Sequence, residues 1–158
     1  MRLALYEPDI PQNTGTLIRV AACLGVPLDI IEPCGFVMTD RQMRRAALDY
    51  QTLAQVERHI SWAEFAASRN AGPLMSAGRR LILMTTRGEQ RYDRFAFEPG
   101  DTLLLGRETV GVPEAVHAAC DARLRVPMRP GMRSLNVAIA GSVVLMEALR
   151  QTGLLPEE

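Results

Sequence analysis

Three segments of this chain combine residue types that could do chemistry. The last runs Leu124-Arg125-Val126-Pro127-Met128-Arg129-Pro130-Gly131-Met132-Arg133-Ser134-Leu135-Asn136-Val137 and enters a long apolar stretch. A strand-like end meets a Pro/Gly-rich loop holding Arg129 and Arg133, and Ser134 is by type a good helix N-cap. Such a loop offers backbone N–H and C=O groups to a ligand, beside guanidinium groups suited to phosphate. The first segment, Glu7 to Arg19, follows a strand end and opens a helix, the position where α/β proteins place ligands. Asn13 can cap that helix. Leu17, Ile18, Ala21 and Leu24 form its apolar stripe, which puts Arg19 on the opposite side, towards solvent, substrate or a partner. In the middle segment, Leu103 to Glu114, Gly106 and Gly111 have the spacing of a phosphate-binding loop. Val112-Pro113 replaces the Lys-Ser/Thr that should follow, which disfavours nucleotide hydrolysis. Taken singly, each segment has a plain alternative: an exposed arginine, a tight strand–helix turn, a solvated loop charge.

The elements that must position these residues alternate between strand and helix. Strands are expected at Leu3–Tyr6, Leu28–Ile31, Ala54–Arg58, Leu81–Thr85, Thr102–Leu105 and Arg123–Val126. Helices are expected at Asn13–Leu24, Thr39–Ala47, Trp62–Ser68, Pro113–Ala119 and Ser134–Gln151. Asn70–Gly78 and Gly88–Gly100 read as irregular. The alternation predicts an α/β fold with a mainly parallel sheet flanked by helices. On the final helix, Val137, Ala138, Gly141, Val144, Leu145 and Ala148 share one broad side. Ile139, Val143 and Met146 cover much of the rest, leaving a polar strip of Asn136, Glu147 and Arg150. A helix apolar nearly all round fits either a central core position or a second subunit; a homodimer is expected, with Ala138, Ala140, Gly141 and Ser142 permitting close approach.

Composition bounds the rest. The 158 residues, 47% of them hydrophobic, suit one domain with a sizeable core (residues 1–158). Formal charge is zero, so no global basic field points to nucleic acid. All 18 basic residues are nevertheless arginine, a bias that genome composition alone would give but which suits forked phosphate contacts. The three scattered cysteines fit a reduced, cytoplasmic setting. His59 and His117 stand apart, so no metal site is expected. No apolar stretch approaches the ~20 residues that span a bilayer.

In their order, Asn13-x-Gly15-x-x-x-Arg19, Leu105-Gly106-x-Glu108-x-x-Gly111-x-Pro113 and Val126-Pro127-Met128 with Arg133-Ser134-Leu135-Asn136-Val137 resemble the SPOUT RNA methyltransferases. The likeness is narrowest to the minimal branch that 2′-O-methylates the wobble nucleotide, position 34 (C34 or modified U34), of tRNA-Leu species. Tyr6-Glu7-Pro8, Ile31-Glu32-Pro33, Gly35-Phe36 and Arg44 to Tyr50 extend it over about residues 3–151.

The resemblance implies a C-terminal deep trefoil knot and S-adenosylmethionine as cofactor. Cofactor contacts carry over to Met84, Gly106, Val126, Met128, Ser134 and Leu135. Arg19 matches the motif arginine that acts at the ribose hydroxyl across a dimer interface, with Asn13, Glu108 and Asn136 shaping the site. Arg44, Arg45, Arg129 and Arg133 are the expected RNA-phosphate contacts, and the partner would be the anticodon stem-loop of tRNA. Departures from the branch fall at Arg107, Val110, Ala138, Ile139 and Met146, on or near the expected RNA face. The alternatives are methylation at another tRNA position or on rRNA, and a non-catalytic dimeric RNA-binding module.

Overall fold

The computed structural model describes residues 1–37, 55–71 and 79–157. The helix expected at Thr39–Ala47, with Arg44 and Arg45, lies outside the described residues, as does most of the loop expected over Asn70–Gly78. The described elements are β1 (Arg2–Tyr6), α1 (Pro11–Cys23), β2 (Leu28–Ile31), β3 (Val56–His59), α2 (Trp62–Ala71), β4 (Leu81–Met84), β5 (Gln90–Arg91), a 3-10 turn (Tyr92–Arg94), β6 (Thr102–Leu105), α3 (Glu114–Ala118), β7 (Ala122–Arg125) and α4 (Val137–Thr152).

The strands form one sheet in the order β3-β2-β1-β6-β4-β7-β5, and every pair is parallel. A parallel sheet is covered on both faces, so its inner strands are mostly apolar, as in Leu103-Leu104-Leu105 of β6. β2 and β6 are buried at every residue. Alternate side chains serve two cores. Leu3, Leu5, Ile30, Leu103 and Leu105 meet Leu17 and Ile18 of α1 and Val144, Leu145 and Ala148 of α4. Ala4, Tyr6, Leu81, Leu83 and Leu104 meet Phe65 of α2 and Val116 of α3 on the other face. Each Leu or Ile so buried contributes roughly 1.5–3 kcal/mol.

α4 presents the side predicted for the core: Ala138, Gly141, Val144, Leu145 and Ala148 are buried, together with Leu149. Gly141 faces the chain's own Leu105 and Leu17 side chains, so its small size serves packing within the chain, not the approach of a second subunit expected from the sequence. His59 is not isolated either. Its Nε2 lies 2.9 Å from Asp29 Oδ1, and Arg2 donates to the same carboxylate through Nε and Nη2 at 2.8 Å. Glu57 completes the group, with ligand-type atoms of Asp29, Glu57 and His59 within 4.8 Å of one another. The Arg2 guanidinium bridges Asp29 and Glu57, supplying the positive charge these carboxylates require.

The strand order has one unusual crossing. From β4 the chain must pass β7 to reach β5, and it does so through Thr85–Glu89. Gly88 lies against the β7 backbone, where a Cβ would sit 2.6 Å from the Arg125 nitrogen and 2.7 Å from the Leu124 oxygen. Arg125 clamps the crossing by donating from Nη1 to the Gly88 and Glu89 carbonyls at 2.5 and 2.7 Å. No helix among the described residues is long and apolar enough to cross a membrane.

Candidate active site

A cavity of about 580 Å³ opens at the carboxyl ends of β4, β6 and β7, within the ~300–1,000 Å³ range of small-molecule sites. Four loops build it. Thr85, Thr86 and Arg87 follow β4; Gly106 to Val112 follow β6; Val126 and Met128 follow β7; and Ile10 comes from the β1–α1 loop. This is the crevice where open α/β sheets place ligands. Met84, Gly106, Val126, Met128, Ser134 and Leu135 all line it, as do Arg133 and Asn136.

The loop after β7 is shaped by its Pro-Gly pair. Met132 N–H donates to the Arg129 carbonyl at 3.2 Å, and Gly131 takes φ 86°, the pattern of a type II turn with proline and glycine at its centre. Arg129 and Arg133 flank this turn and both are exposed; Arg133 lines the cavity and Arg129 does not. The helix that follows starts later than expected. Asn136, not Ser134, is its N-cap: Asn136 Oδ1 accepts from Ala138 N–H at 2.8 Å and Ile139 N–H at 3.2 Å. Ser134 and Leu135 are thereby left in the loop, exposed and facing the cavity.

Asn13 does not cap α1 either. The helix opens two residues earlier on Pro11, a favoured first position, and Asn13 is buried within the first turn. Its side chain turns to the other segments instead. Asn13 Nδ2 donates to Glu108 Oε1 at 3.1 Å, and Asn13 Oδ1 accepts from Asn136 Nδ2 at 2.9 Å. The second Glu108 oxygen accepts from Asp9 N–H at 2.8 Å. One relay thus joins the three segments singled out in the sequence. Its direction is fixed by Glu108, because an ionised carboxylate only accepts.

Arg19 is exposed on α1, on the side its spacing predicts, and is not among the cavity-lining residues. Sequence reading missed Thr85, Thr86 and Arg87, although a polar Thr-Thr-Arg-Gly run directly after a buried strand is a readable sign of a ligand edge. It also missed Asp9 as a junction. The Asp9 carboxylate accepts from Thr109 Oγ1 at 2.6 Å and from Arg107 Nε and Nη2 at 3.1 and 2.9 Å. The Thr109 hydroxyl first, then the Arg107 guanidinium, hold it below the usual carboxylate range.

Residues 1–146 match the SpoU rRNA Methylase family. A relative from Beijerinckia indica, named tRNA (cytidine(34)-2'-O)-methyltransferase, is 55% identical over 153 residues, which span 97% of this chain and 92% of the relative. A solved structure concerned with 2-OH methylation of C/U34 on tRNA superposes with a TM-score of 0.86 at 41% identity, covering 95% of this chain and 94% of that one. AviRb from Streptomyces viridochromogenes, a SpoU methyltransferase solved in complex with AdoMet, superposes with a TM-score of 0.86 at 27% identity, covering 96% of this chain and 60% of its own. Since the family match extends from the first strand into the last helix, this chain belongs to the SpoU methylase family.

Proposed function

We propose that this chain is an S-adenosylmethionine-dependent methyltransferase acting on the ribose 2′-oxygen of the wobble nucleotide, position 34, in the anticodon loop of tRNA-Leu species. The observation that carries the reading is the relay from Glu108 through Asn13 to Asn136, which draws three distant segments into one wall beside the cavity. The relatives' named activity supports the position on the nucleic acid.

The cavity fits the cofactor. Leu83, Met84, Val126 and Met128 offer apolar surface to an adenosyl group, while the loops after β4, β6 and β7 bring backbone and hydroxyl groups to its edge. When bound, S-adenosylmethionine would supply the methyl, its C–S bond breaking as the 2′-oxygen bonds to carbon, with the electron pair returning to sulfur and the hydroxyl proton passing to solvent water. Little covalent help is needed from the protein, so position and in-line orientation supply much of the rate. Ser134 and Leu135 hold the cofactor's edge, and the Asn136 cap fixes where that edge lies. Arg133 and Arg129 take phosphates of the anticodon loop, Arg133 from the cavity rim. Arg19 grips the phosphate beside the reacting ribose and stabilises charge developing on the 2′-oxygen; as a guanidinium it does not accept the proton.

The active form is a homodimer. Ile139, Val143 and Met146 form one strip on α4 and remain 54, 41 and 45% exposed. In that dimer Arg19, exposed on α1, would serve the cavity of the other subunit, as the family resemblance implies. The test is transfer of labelled methyl from S-adenosylmethionine to unmodified tRNA, wild type against Arg19→Ala. The variant is expected to bind cofactor normally and lose transfer by at least a hundredfold, on the order of an electrostatic catalytic group. Retained transfer would remove Arg19 from the site.

A further inference from the structure

Three consecutive side chains of the β6–α3 loop converge on one residue nearly a hundred positions earlier. Arg107 and Thr109 donate to the two carboxylate oxygens of Asp9, and Glu108 accepts from its backbone N–H. Arg107 also reaches Glu7 Oε2 from Nη1 at 3.4 Å. Within itself the loop is closed by a reciprocal pair, Arg107 N–H to the Gly111 carbonyl at 3.0 Å and Gly111 N–H to the Arg107 carbonyl at 2.9 Å. Beyond that pair its tip turns outward, with Val110 72% exposed.

The geometry has a consequence for the cavity. Ile10, the residue after Asp9, lines one side, and Gly106 to Val112 line another. Whatever holds Asp9 to Arg107 and Thr109 therefore helps to set the spacing between these two walls, beside the Glu108 bonds to Asp9 N–H and Asn13. The pair is partly open to solvent, with the Arg107 and Asp9 side chains 36% and 13% exposed, so its net weight in global stability is small. Two guanidinium nitrogens on one oxygen, with a hydroxyl on the other, nevertheless fix both direction and distance.

We propose that Arg107 and Asp9 form a positioning pair that holds the β6–α3 loop at the spacing required for cofactor binding, and so sets affinity for S-adenosylmethionine without touching the transferred methyl. The inference rests on the proposed cofactor. Its test is calorimetric titration with S-adenosylhomocysteine of the full chain, comparing wild type, Arg107→Ala, Arg107→Lys, Asp9→Asn and the Asp9→Asn/Arg107→Ala double variant at low and high salt, each with its melting temperature.

Arg107→Ala and Asp9→Asn should each weaken binding about tenfold, near the worth of one ordering contact, with melting nearly unchanged. Lysine should restore part of the affinity, since it reaches Asp9 as a single point charge. The double variant should bind no more weakly than either single one. Wild-type affinity should fall with salt as the partly exposed pair is screened, whereas that of Arg107→Ala should not. Wild-type binding with Arg107→Ala within twofold, or additive losses in the double variant, would overturn the pair's role alone. A wild-type chain that takes up no S-adenosylhomocysteine would overturn the functional reading and this role with it.

Discussion

Glu108→Gln should turn the relay against itself, and a second substitution should turn it back. In the wild type both Glu108 oxygens accept, from Asp9 N–H at 2.8 Å and Asn13 Nδ2 at 3.1 Å. Asn13 must then offer its oxygen to Asn136, and Asn136 must offer its own to the first N–H groups of α4. Glutamine keeps one acceptor and gains a donor. If that donor faces Asp9 N–H, two donors meet. If it faces Asn13, both asparagines must rotate, and Asn136 then presents NH₂ to a helix terminus that needs an acceptor. Either way one bond to a charged acceptor is lost and a donor is stranded, a cost of about 2–3 kcal/mol. For a domain of this size that is roughly 5–10 °C in melting temperature.

Asn136→Asp alone should also destabilise, because the introduced carboxylate caps the helix but has no proton for Asn13. The pair Glu108→Gln with Asn136→Asp satisfies every group with the direction reversed. Glutamine donates to Asn13, Asn13 donates to the aspartate, and the aspartate caps α4 with its charge at the favourable end of the helix. The double variant should therefore melt within a few degrees of wild type, a coupling of at least about 2 kcal/mol in a thermal or urea double-mutant cycle. Additive losses would refute the directional relay.

Other outcomes follow from the same geometry. Gly88→Ala should cost about 3 kcal/mol, the upper end for overpacking, because its methyl meets backbone atoms of Leu124 and Arg125 that cannot rotate away; urea unfolding measures it. Val143→Glu should leave the fold intact and disperse the proposed dimer, as read by light scattering. The Asp9 carboxyl is depressed below its ordinary 3.8, so its contribution to stability, small because the pair is partly open to solvent, is complete above that value and is lost as pH falls through the lower folded value. Asp9→Asn should accordingly flatten the acid limb of a stability–pH curve.

How legible each part was depends on what held it in place. β2 and β6 were readable to the residue because strands buried on both faces are mostly apolar, with Asp29 and Thr102 the polar exceptions. β5, only Gln90–Arg91, was not, since it exists through its pairing with β7 rather than through any pattern of its own. Ser134 looked like the helix cap by residue type, but the cap that forms is the one whose amide is oriented by Asn13, a partner 123 positions away. A comparable distance hid the junction at Asp9, whose partners Arg107 and Thr109 lie 98 and 100 positions away. The trefoil knot implied by the family's fold came from the resemblance alone, since chain-topology rules favour unthreaded connections. The tight passage of Gly88 across β7, and the Arg125 clamp over it, mark where two parts of the chain cross.

Wobble methylation by this protein is decided by incubating it and S-adenosylmethionine with tRNA from a strain lacking this gene, then mapping methylated nucleotides by mass spectrometry. One new 2′-O-methyl group is expected, at position 34 of tRNA-Leu, and it should be absent from the Arg19→Ala reaction. Methylation at another tRNA position or on rRNA would contradict the assigned target while keeping the chemistry. RNA binding without any methylated product would contradict the catalytic reading itself.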